Sequence, residues 1–234
     1  LWTTADGELM AFAFHQIPFG SVHFAIHPRA NRETLEDAIF AWSKERAAEL
    51  AKASGKRVSY GVWSAENNGA TQTRLAAHGF TRLEEHKVFF HQPLDGAIPA
   101  PKLPAGFTAR PLAGMDEVEA ATRLLCESFK IDTVTVGWRG RIIEQPHYRP
   151  ELDIVVAAPD GRLAAFCLLW LHPHGHTGQI EPMATHPDFQ RLGLGSAAIH
   201  AGLAQVMALG ATRAIVGTSG SNFRSQGMYQ ATGF

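Results

Sequence analysis

The chain has 234 residues, of which 45% are apolar and 18% are charged, and its formal net charge is −1. Such a composition is typical of a folded globular protein of one large or two ordinary domains, and it excludes a disordered chain. The sequence has no Lys- or Arg-rich run and no apolar stretch of bilayer length. We therefore expect neither nucleic acid nor a membrane as a partner.

The first and last thirds of the chain share a sequence pattern. A His-Pro pair begins at His27 and again at His186, a helical run follows each, and a Gly-Phe pair ends at Phe80 and again at Phe234. The His-Pro pairs are 159 residues apart and the Gly-Phe pairs are 154 residues apart. Two copies of one folding unit are the simplest explanation.

A proline-rich segment separates the two copies. Residues 91–106 contain four prolines and little apolar pattern, which is typical of a linker because proline removes a backbone donor and restricts the residue before it. The sequence therefore predicts a first domain at 1–94, a linker at 95–106 and a second domain at 107–234. A strand pattern at 85–90 is assigned to the end of the first copy.

The second copy shows alternating helix and strand patterns. Val118, Ala121, Leu125 and Phe129 recur at helical spacing, and Pro159-Asp160-Gly161 is a typical hairpin turn. Cys126 and Cys167 fall in a helix-like and a strand-like run, and two free thiols favour a reducing compartment such as the cytoplasm. The patterns predict helices at 115–129, 196–209 and 223–231, and strands at 153–157, 163–171, 180–185 and 214–216, an order that indicates a mixed α/β layer fold.

A loop with two glycines lies between the strand at 180–185 and the next helix. It reads Gln190-Arg191-Leu192-Gly193-Leu194-Gly195-Ser196. Glycine allows the backbone to approach a ligand, and the unpaired N–H groups that open a helix suit a pyrophosphate, to which Arg191 would add a charge. A glycine turn that merely joins strand to helix would look the same, so the glycines alone leave both interpretations open.

Two other glycine-rich motifs fit less well. The loop also satisfies the dinucleotide fingerprint G-x-G-x-x-A, but a polar loop precedes Gly193 where that motif needs a strand, and the next strand ends without a carboxylate. A P-loop would need Gly-Lys-Ser/Thr, which is absent from the sequence.

Two motifs together resemble the signatures of the GNAT N-acetyltransferase superfamily. They are Q-x-x-G-x-G at 190–195 and N-x-x-S-x-x-M-Y-x-x-x-G-F at 222–234, with Ser and Met where the family pattern has Ala and Leu. The resemblance covers about 107–234. It implies a tandem protein with a degenerate first copy, in which each copy is a mostly antiparallel sheet with helices on both faces.

The resemblance also implies a co-substrate, acetyl-CoA. In such proteins the loop amides hold the pyrophosphate, and the strand before the loop pairs with the pantetheine arm. Asn222 is predicted to cap the last helix and is a further candidate contact. The implied binding residues are Met183, Ala184, Thr185, Gln190, Arg191, Leu192, Gly193, Leu194, Gly195, Ser196 and Asn222.

Two side chains are candidates for the chemistry. Tyr229 occupies the family's tyrosine position and would protonate the leaving thiolate, although an aromatic residue packed on the sheet is the alternative. Glu181 would be the general base, often through water in the family, with a solvated strand residue as the alternative. A backbone N–H near Met183 or Ala184 would polarise the carbonyl.

Three histidines, His172, His174 and His176, lie close together in a predicted hairpin loop. They lack an acid, a cysteine or a rigid helix face to complete a metal site, so we expect no metal. The acceptor pocket is expected at about 131–150. Four residues there suit an anionic or aromatic acceptor, or else a solvated helix face: Trp138, Arg139, Arg141 and Tyr148.

The resulting hypothesis is an N-acetyltransferase that moves an acetyl group from acetyl-CoA to a primary amine of a small molecule by direct transfer. A non-catalytic CoA-binding sensor or scaffold with the same fold is the alternative. No motif identifies the acceptor or the oligomeric state.

The first copy is predicted to bind no acetyl-CoA and to serve as a structural partner. No glycine follows its His-Pro pair, Leu75 stands at the tyrosine position, and Glu33, Glu36 and Asp37 would repel a diphosphate at the start of the helix. The first copy is also short, with 26 residues before its His-Pro pair against 79 from Phe107 in the second. We expect that the natural chain extends at both ends or that another segment fills the missing sheet positions.

Overall fold

A computed structural model describes residues 1–16, 20–172 and 174–234, and it divides into two units, Leu1–Glu84 and Glu85–Phe234. The sequence predicted this boundary after residue 94. It lies earlier because strand β5 (Lys87–Pro93) pairs along its whole length with a strand of the second unit. The alternating pattern of this segment indicated a strand, but the choice of partner is a tertiary property that the pattern does not contain.

The first domain is a small sheet with one hydrophobic core cluster among its described residues, built around Ala11, Ile39, Phe40 and Leu75. The sheet order is β1-β2-β3-β4, antiparallel except for the parallel pair β3 and β4. Its elements in chain order are β1 (Trp2–Thr3), β2 (Leu9–Gln16), β3 (Ser21–Ile26), α1 (Arg32–Ser54), β4 (Gly61–Val62) and α2 (Gly69–Ala77).

The second domain is a six-stranded sheet with the order β5-β10-β9-β8-β7-β6, in which only β9 and β10 are parallel neighbours. No helix in the part of the chain that the structure describes is long and apolar enough to cross a membrane. The elements that follow β5 are β6 (Thr108–Pro111), α3 (Val118–Phe129), α4 (Val136–Ile143), β7 (Asp153–Ala157), β8 (Leu163–His172), β9 (Thr177–Thr185), α5 (Leu194–Ala208), β10 (Arg213–Ser219) and α6 (Phe223–Ala231).

Helices cover both faces of the second sheet, as the predicted fold class requires. Cys167 and Leu169 of β8 point into a core shared with Ile199 of α5. The alternate residue Phe166 points into a second core with Leu125 of α3. The mixed α/β fold and the predicted helices and strands are therefore confirmed, with α6 at its predicted bounds.

The same hydrogen bonds recur in the two domains at positions 154 residues apart. Asn222 Oδ1 accepts the N–H of Ser225 at 3.2 Å and caps α6, as predicted. Asn68 Oδ1 accepts the N–H of Thr71 at the same distance and caps α2. The domains are thus copies at the level of individual hydrogen bonds. The same hydrogen bond also follows the end of each helix. The N–H of Phe80 donates to Leu75 O after α2, and the N–H of Phe234 donates to Tyr229 O after α6.

The strands β1 to β4 match β7 to β10 in order and direction. Counterparts of β6, α3 and α4 are absent from the described residues 1–16 and 20–84. In the second domain, β5 occupies the sheet position beside β10. This agrees with the expectation that another segment would fill a position in that sheet.

A buried ion pair ties α4 to the first residue of β7. Arg139 pairs with Asp153 Oδ2, and Tyr148 Oη donates to the same oxygen at 2.8 Å. All three side chains are buried, and burial together with the Asp153 charge raises the pKa of Tyr148. Arg139 and Tyr148, which the sequence offered as acceptor contacts, are therefore occupied within the protein.

We expect Asp153→Ala to lower the free energy of unfolding by about 3–5 kcal/mol, because it leaves the buried Arg139 without its partner. Glu49→Ala is the control, since the ion pair of Glu49 with Arg46 is exposed and such pairs contribute about 0.2–1 kcal/mol. Urea denaturation of both variants measures the difference. Equal losses would contradict a structural role for the buried pair.

Candidate active site

A cleft opens where β9 and β10 diverge. The two strands are paired only from Thr177 and Arg213 to Ile180 and Val216. Beyond that point residues 183–185 stay paired with β8, and residues 217–219 stay paired with β5. Each strand therefore presents one edge without a strand partner in the described sheet, and free N–H and C=O groups on such an edge can pair with an extended polar ligand.

An irregularity in β9 lies at the base of the cleft. Between the ladder pairs of Ile180 and Met183, the residues Glu181 and Pro182 lie opposite a single residue of β8. Such a bulge bends the strand and re-aims its side chains. Trp170 Nε1 donates to Glu181 O at 2.7 Å and holds the bulge in place. The predicted pantetheine segment, Met183–Thr185, follows on the open edge.

The glycine loop leads from β9 into α5. Arg191 and Gly193 both adopt left-handed backbone, with φ of 67° and 76°, and Gly193 is the N-cap residue of α5. No side chain caps this helix, so the N–H groups of its first turn have no partner from a capping residue. A Cβ built on Gly193 would meet no atom within 4 Å. The helix therefore opens onto space in which an anion can approach its amides.

Gly195 has a different role from Gly193. A Cβ on Gly195 would lie 3.0 Å from Met228 Sδ and 3.1 Å from Thr185 Oγ1. The absence of a side chain at this position lets α5 pack closely against β9 and α6. Of the two glycines, only Gly193 faces open space.

The polar loop residues differ in their availability. Gln190 Oε1 accepts from Arg224 Nη1 at 3.1 Å, which ties the loop to α6. Arg191 is exposed and has no ion pair among the described residues. Leu192 is exposed and Leu194 is buried in the core. Arg191 is thus the loop side chain that remains free to bind an anion.

Tyr229 is buried on α6 and packs between two aromatic rings, those of Phe90 and Phe234, each with its centroid 6.1 Å away. Burial raises the pKa of Tyr229, and the nearby carboxylate of Glu181 raises it further. The phenol therefore stays protonated at neutral pH. Its hydroxyl has no hydrogen-bond partner among the described residues, so its proton is available to a ligand.

Glu181 stands at the mouth of the cleft. Ile180 and Met183, on either side of the bulge, both contact the core beneath α5, so the bulge residue Glu181 lies toward the opposite face of the sheet. The side chain reaches solvent, yet protein on most sides desolvates it and raises the pKa of its carboxyl, while Lys87 of β5 lowers that pKa. Glu181 also influences the pKa of Tyr229. The structure thus brings the two predicted catalytic residues to one cleft.

Among the described residues, the cysteines and the histidines of the loop after β8 show no arrangement for catalysis. The thiol of Cys167 is fully buried, which raises its pKa, and both cysteines are free. His176 Nδ1 lies 3.0 Å from Gly210 O. Within the described ranges, which omit Pro173 of the histidine loop, no group of three His, Cys, Asp or Glu side chains could hold a metal ion.

Strand β5 brings residues to the cleft that the sequence analysis had assigned to the first copy. Phe90 packs on Tyr229, and Lys87 acts on Glu181 through its charge. The only sequence signal was the alternating pattern of β5. That pattern identifies which residues share a face but not the strand they pair with.

The first domain has a glutamate where the second has Gly195. Glu36 lies 159 residues before Gly195, the same interval that separates the His-Pro pairs. Its buried carboxylate accepts from Arg32 Nε at 2.9 Å, Thr71 Oγ1 at 2.8 Å and Arg74 Nε at 3.1 Å. The side chain of Glu36 is thus internal and paired with protein groups, and the repulsion of a diphosphate by its charge stays a prediction.

The start of α1 is also satisfied by its own protein groups. Asn31 Oδ1 accepts the N–H of Thr34 at 3.1 Å and caps the helix. Glu33 pairs with Arg74 at 3.1 Å, and Asp37 lies 3.0 Å from His78. The uncapped amides of α5 therefore have no equivalent at the start of α1.

Comparison with known proteins agrees with this geometry. Residues 119–234 match the model of the acetyltransferase (GNAT) family. The second domain belongs to the GNAT family. The structure superposes on a GCN5-related N-acetyltransferase of Sphaerobacter thermophilus with a TM-score of 0.74 and 18% identity, covering 99% of this chain and 75% of that one. A tandem GNAT protein of the clavulanic acid biosynthesis pathway gives a TM-score of 0.67 at 14% identity, covering 92% and 71% of the two chains.

Two sequence relatives match along most of this chain. The mycothiol acetyltransferase of Streptomyces coelicolor is 24% identical over 242 aligned positions, covering 100% of this chain and 75% of the relative. That of Clavibacter michiganensis is 26% identical over 193 positions, covering 80% of this chain and 61% of the relative. Identities of 24% and 26% support the GNAT fold and an acyltransferase activity, and they do not assign the acceptor of these relatives to this protein.

We expect the Lys87→Met variant to raise the pKa of Glu181 above its wild-type value, because the nearby positive charge that stabilises the carboxylate is lost. Titration of ¹³C-labelled glutamate carboxyls by NMR measures this pKa directly. Lys102→Met is the control. It also removes a lysine charge, but Lys102 affects the pKa of His200 and not that of Glu181, so the Glu181 pKa should stay at its wild-type value. An unchanged Glu181 pKa in Lys87→Met would contradict the placement of Lys87 beside the cleft.

Proposed function

We propose that the second domain transfers an acetyl group from acetyl-CoA directly to a primary amine of a small molecule. The observation that carries this proposal is the cleft between β9 and β10, with Glu181 on one face of the sheet and Tyr229 on the other. The uncapped start of α5 adjoins the same cleft. A base, an acid and an anion site thus converge on one opening.

The proposed binding of acetyl-CoA uses two kinds of backbone group. The open edge of Met183–Thr185 would pair with the amides of the pantetheine arm. The amides of Gly193 to Ser196, with Arg191, would hold the pyrophosphate. Gln190 anchors the loop to Arg224 and Asn222 caps α6, and with the exposed Leu192 they would line the same binding site.

The proposed chemistry follows from the two faces of the sheet. The amine nitrogen would attack the thioester carbonyl from the face of Glu181, which takes up the proton that the nitrogen loses, directly or through water. As the carbon–sulfur bond breaks, Tyr229 would give its proton to the thiolate. A backbone N–H of the open β9 edge would stabilise the oxyanion.

A covalent enzyme intermediate is not needed for this reaction. Cys167 is buried with a raised pKa, so it is a poor nucleophile. The two free thiols also fit a reducing compartment, which supports a cytoplasmic enzyme. Because relatives are named mycothiol acetyltransferases, their acceptor belongs in the first panel of amines to be tested by release of free CoA thiol.

We expect one acetyl-CoA to bind per chain, in the second domain, since the start of α1 is capped by Asn31 and Glu36 fills the position of Gly195. Isothermal titration calorimetry gives the stoichiometry. Gly193→Glu should abolish binding, because a carboxylate would occupy the anion site. Gly210→Glu is the matched control, since Gly210 is also exposed, lies near the other end of α5 and has a φ of 94°. Two equivalent sites, or binding by Gly193→Glu, would refute the assignment.

We expect Tyr229→Phe to lower kcat by roughly 10²–10⁴-fold with an almost unchanged Kd for acetyl-CoA, because it removes the proton for the thiolate and keeps the ring. The hydroxyl has no partner in the described protein, so the variant should fold normally. Pre-steady-state kinetics separates the chemical step from product release. An unaltered chemical step would remove Tyr229 from the mechanism, and a parallel loss of affinity would indicate packing alone.

A further inference from the structure

On the side of the second sheet opposite α5 and α6, α3 covers β7 and β8, whereas the β5 end, beside the cleft, is exposed. Alternate residues of β5 are exposed there, beginning with Lys87, Phe89 and His91. The register with β10 places Phe89 opposite Gly217 and His91 opposite Ile215. Residues opposite each other in neighbouring strands share a face. The exposed row of β5 therefore continues across β10 toward the cleft.

The same face continues onto β9 and β8. Ile215 lies opposite Gln179, and Gln179 lies opposite Trp170. Glu181 is two residues after Gln179 and therefore points to this face. The platform, defined here as Phe89, Ile215 and Trp170, is thus a set of apolar side chains around the exposed Gln179, on the same face as Glu181.

Phe89 is the most prominent member of the platform. Its side chain is 69% exposed, and a Cβ built on Gly217 would lie 2.8 Å from Phe89 Cε1. The ring therefore extends over β10, in space that exists because residue 217 has no side chain. A single exposed phenylalanine is common on protein surfaces and does not by itself indicate a binding site. This one is held over the strand that forms one wall of the cleft.

The position of Tyr229, the proposed acid, determines the side of the sheet from which the amine approaches. Tyr229 lies on the α6 side of the sheet and Glu181 on the platform side, so an amine must arrive from the platform side. Phe89 and Glu181 are on strands that flank β10, and two ordinary strand spacings set a minimum of about 10 Å between their backbones, because β9 diverges from β10 at this point. A short chain between an amine and a ring-sized group spans this distance.

We propose that the platform is the acceptor site and that Phe89 is its specificity-determining residue, selecting a primary amine that is linked through a short chain to an apolar, ring-sized group. The amine would lie at Glu181, and the apolar group would lie against Phe89 and Ile215. This assignment rests on the proposed acetyl transfer, because it names the acceptor class of that same cleft.

Binding of 4-fluorophenethylamine to the CoA-saturated protein tests the assignment without turnover. ¹⁹F NMR titration gives Kd for the wild type, Phe89→Ala and the control His91→Ala, which removes an exposed ring from the same row of β5. We expect Phe89→Ala to raise Kd about tenfold, because the ring contributes apolar contact area. His91→Ala should leave Kd unchanged. Ethanolamine, which has no apolar group and is measured by its displacement of the fluorinated amine, should bind more weakly and equally to all three proteins.

Steady-state kinetics gives the matching readout. Phe89→Ala should lower kcat/KM for phenethylamine about tenfold, mainly through the acceptor KM, and leave the KM for acetyl-CoA unchanged. Equal Kd values in wild type and Phe89→Ala, or no binding of the aromatic amine by a protein that binds CoA, would overturn the inference and leave acetyl transfer standing. Absence of CoA binding would refute the proposed function, and titration of the free protein would then decide the role of Phe89 by the same comparison.

Discussion

The end of pairing between β9 and β10, after Ile180 and Val216, is the constraint on which the rest of the site depends. Both strands keep their outer partners, so the divergence leaves two facing edges and does not weaken the sheet elsewhere. The bulge at Glu181 and Pro182 turns β9 away at the same point. The glycine loop and the start of α5 then follow directly from the strand that has been bent. One local interruption therefore produces the cleft and positions the groups around it.

The two domains show how the same framework can serve different purposes. In the first domain a buried carboxylate, Glu36, draws Arg32, Thr71 and Arg74 together at the start of α1. In the second domain the corresponding position is Gly195, and helix and strand approach closely in its place. At the start of α1 the side chain of Asn31 accepts a helix N–H, whereas at the start of α5 no side chain among the described residues does so, and the N–H groups are left for a ligand. Because the same hydrogen bonds recur in both domains, Glu36 and Gly195 can be compared as equivalent positions.

The fold could be predicted largely because its signals are local. Asn222 caps α6 as expected, Gly210 ends the helical run in left-handed backbone, and the hairpin turn at Gly161 has a positive φ. The neighbours of β5 were not predictable, because alternation identifies faces and not partners. For the same reason the sequence could place neither Phe90 beside Tyr229 nor Arg139 in its buried pair. Tertiary contacts between distant segments decided both.

The position of β5 has a consequence for how the second domain can be divided and folded. The strand runs into the start of the proline-rich segment, yet it pairs with β10, which lies more than a hundred residues later in the chain. The earliest and nearly the latest parts of the domain must therefore meet, and such non-local pairing slows folding. A fragment that began at the linker would expose the edge of β10, with its unpaired N–H and C=O groups, to other chains. It would also leave Tyr229 without the ring of Phe90. The boundary suggested by proline content is thus a poor place to cut this protein.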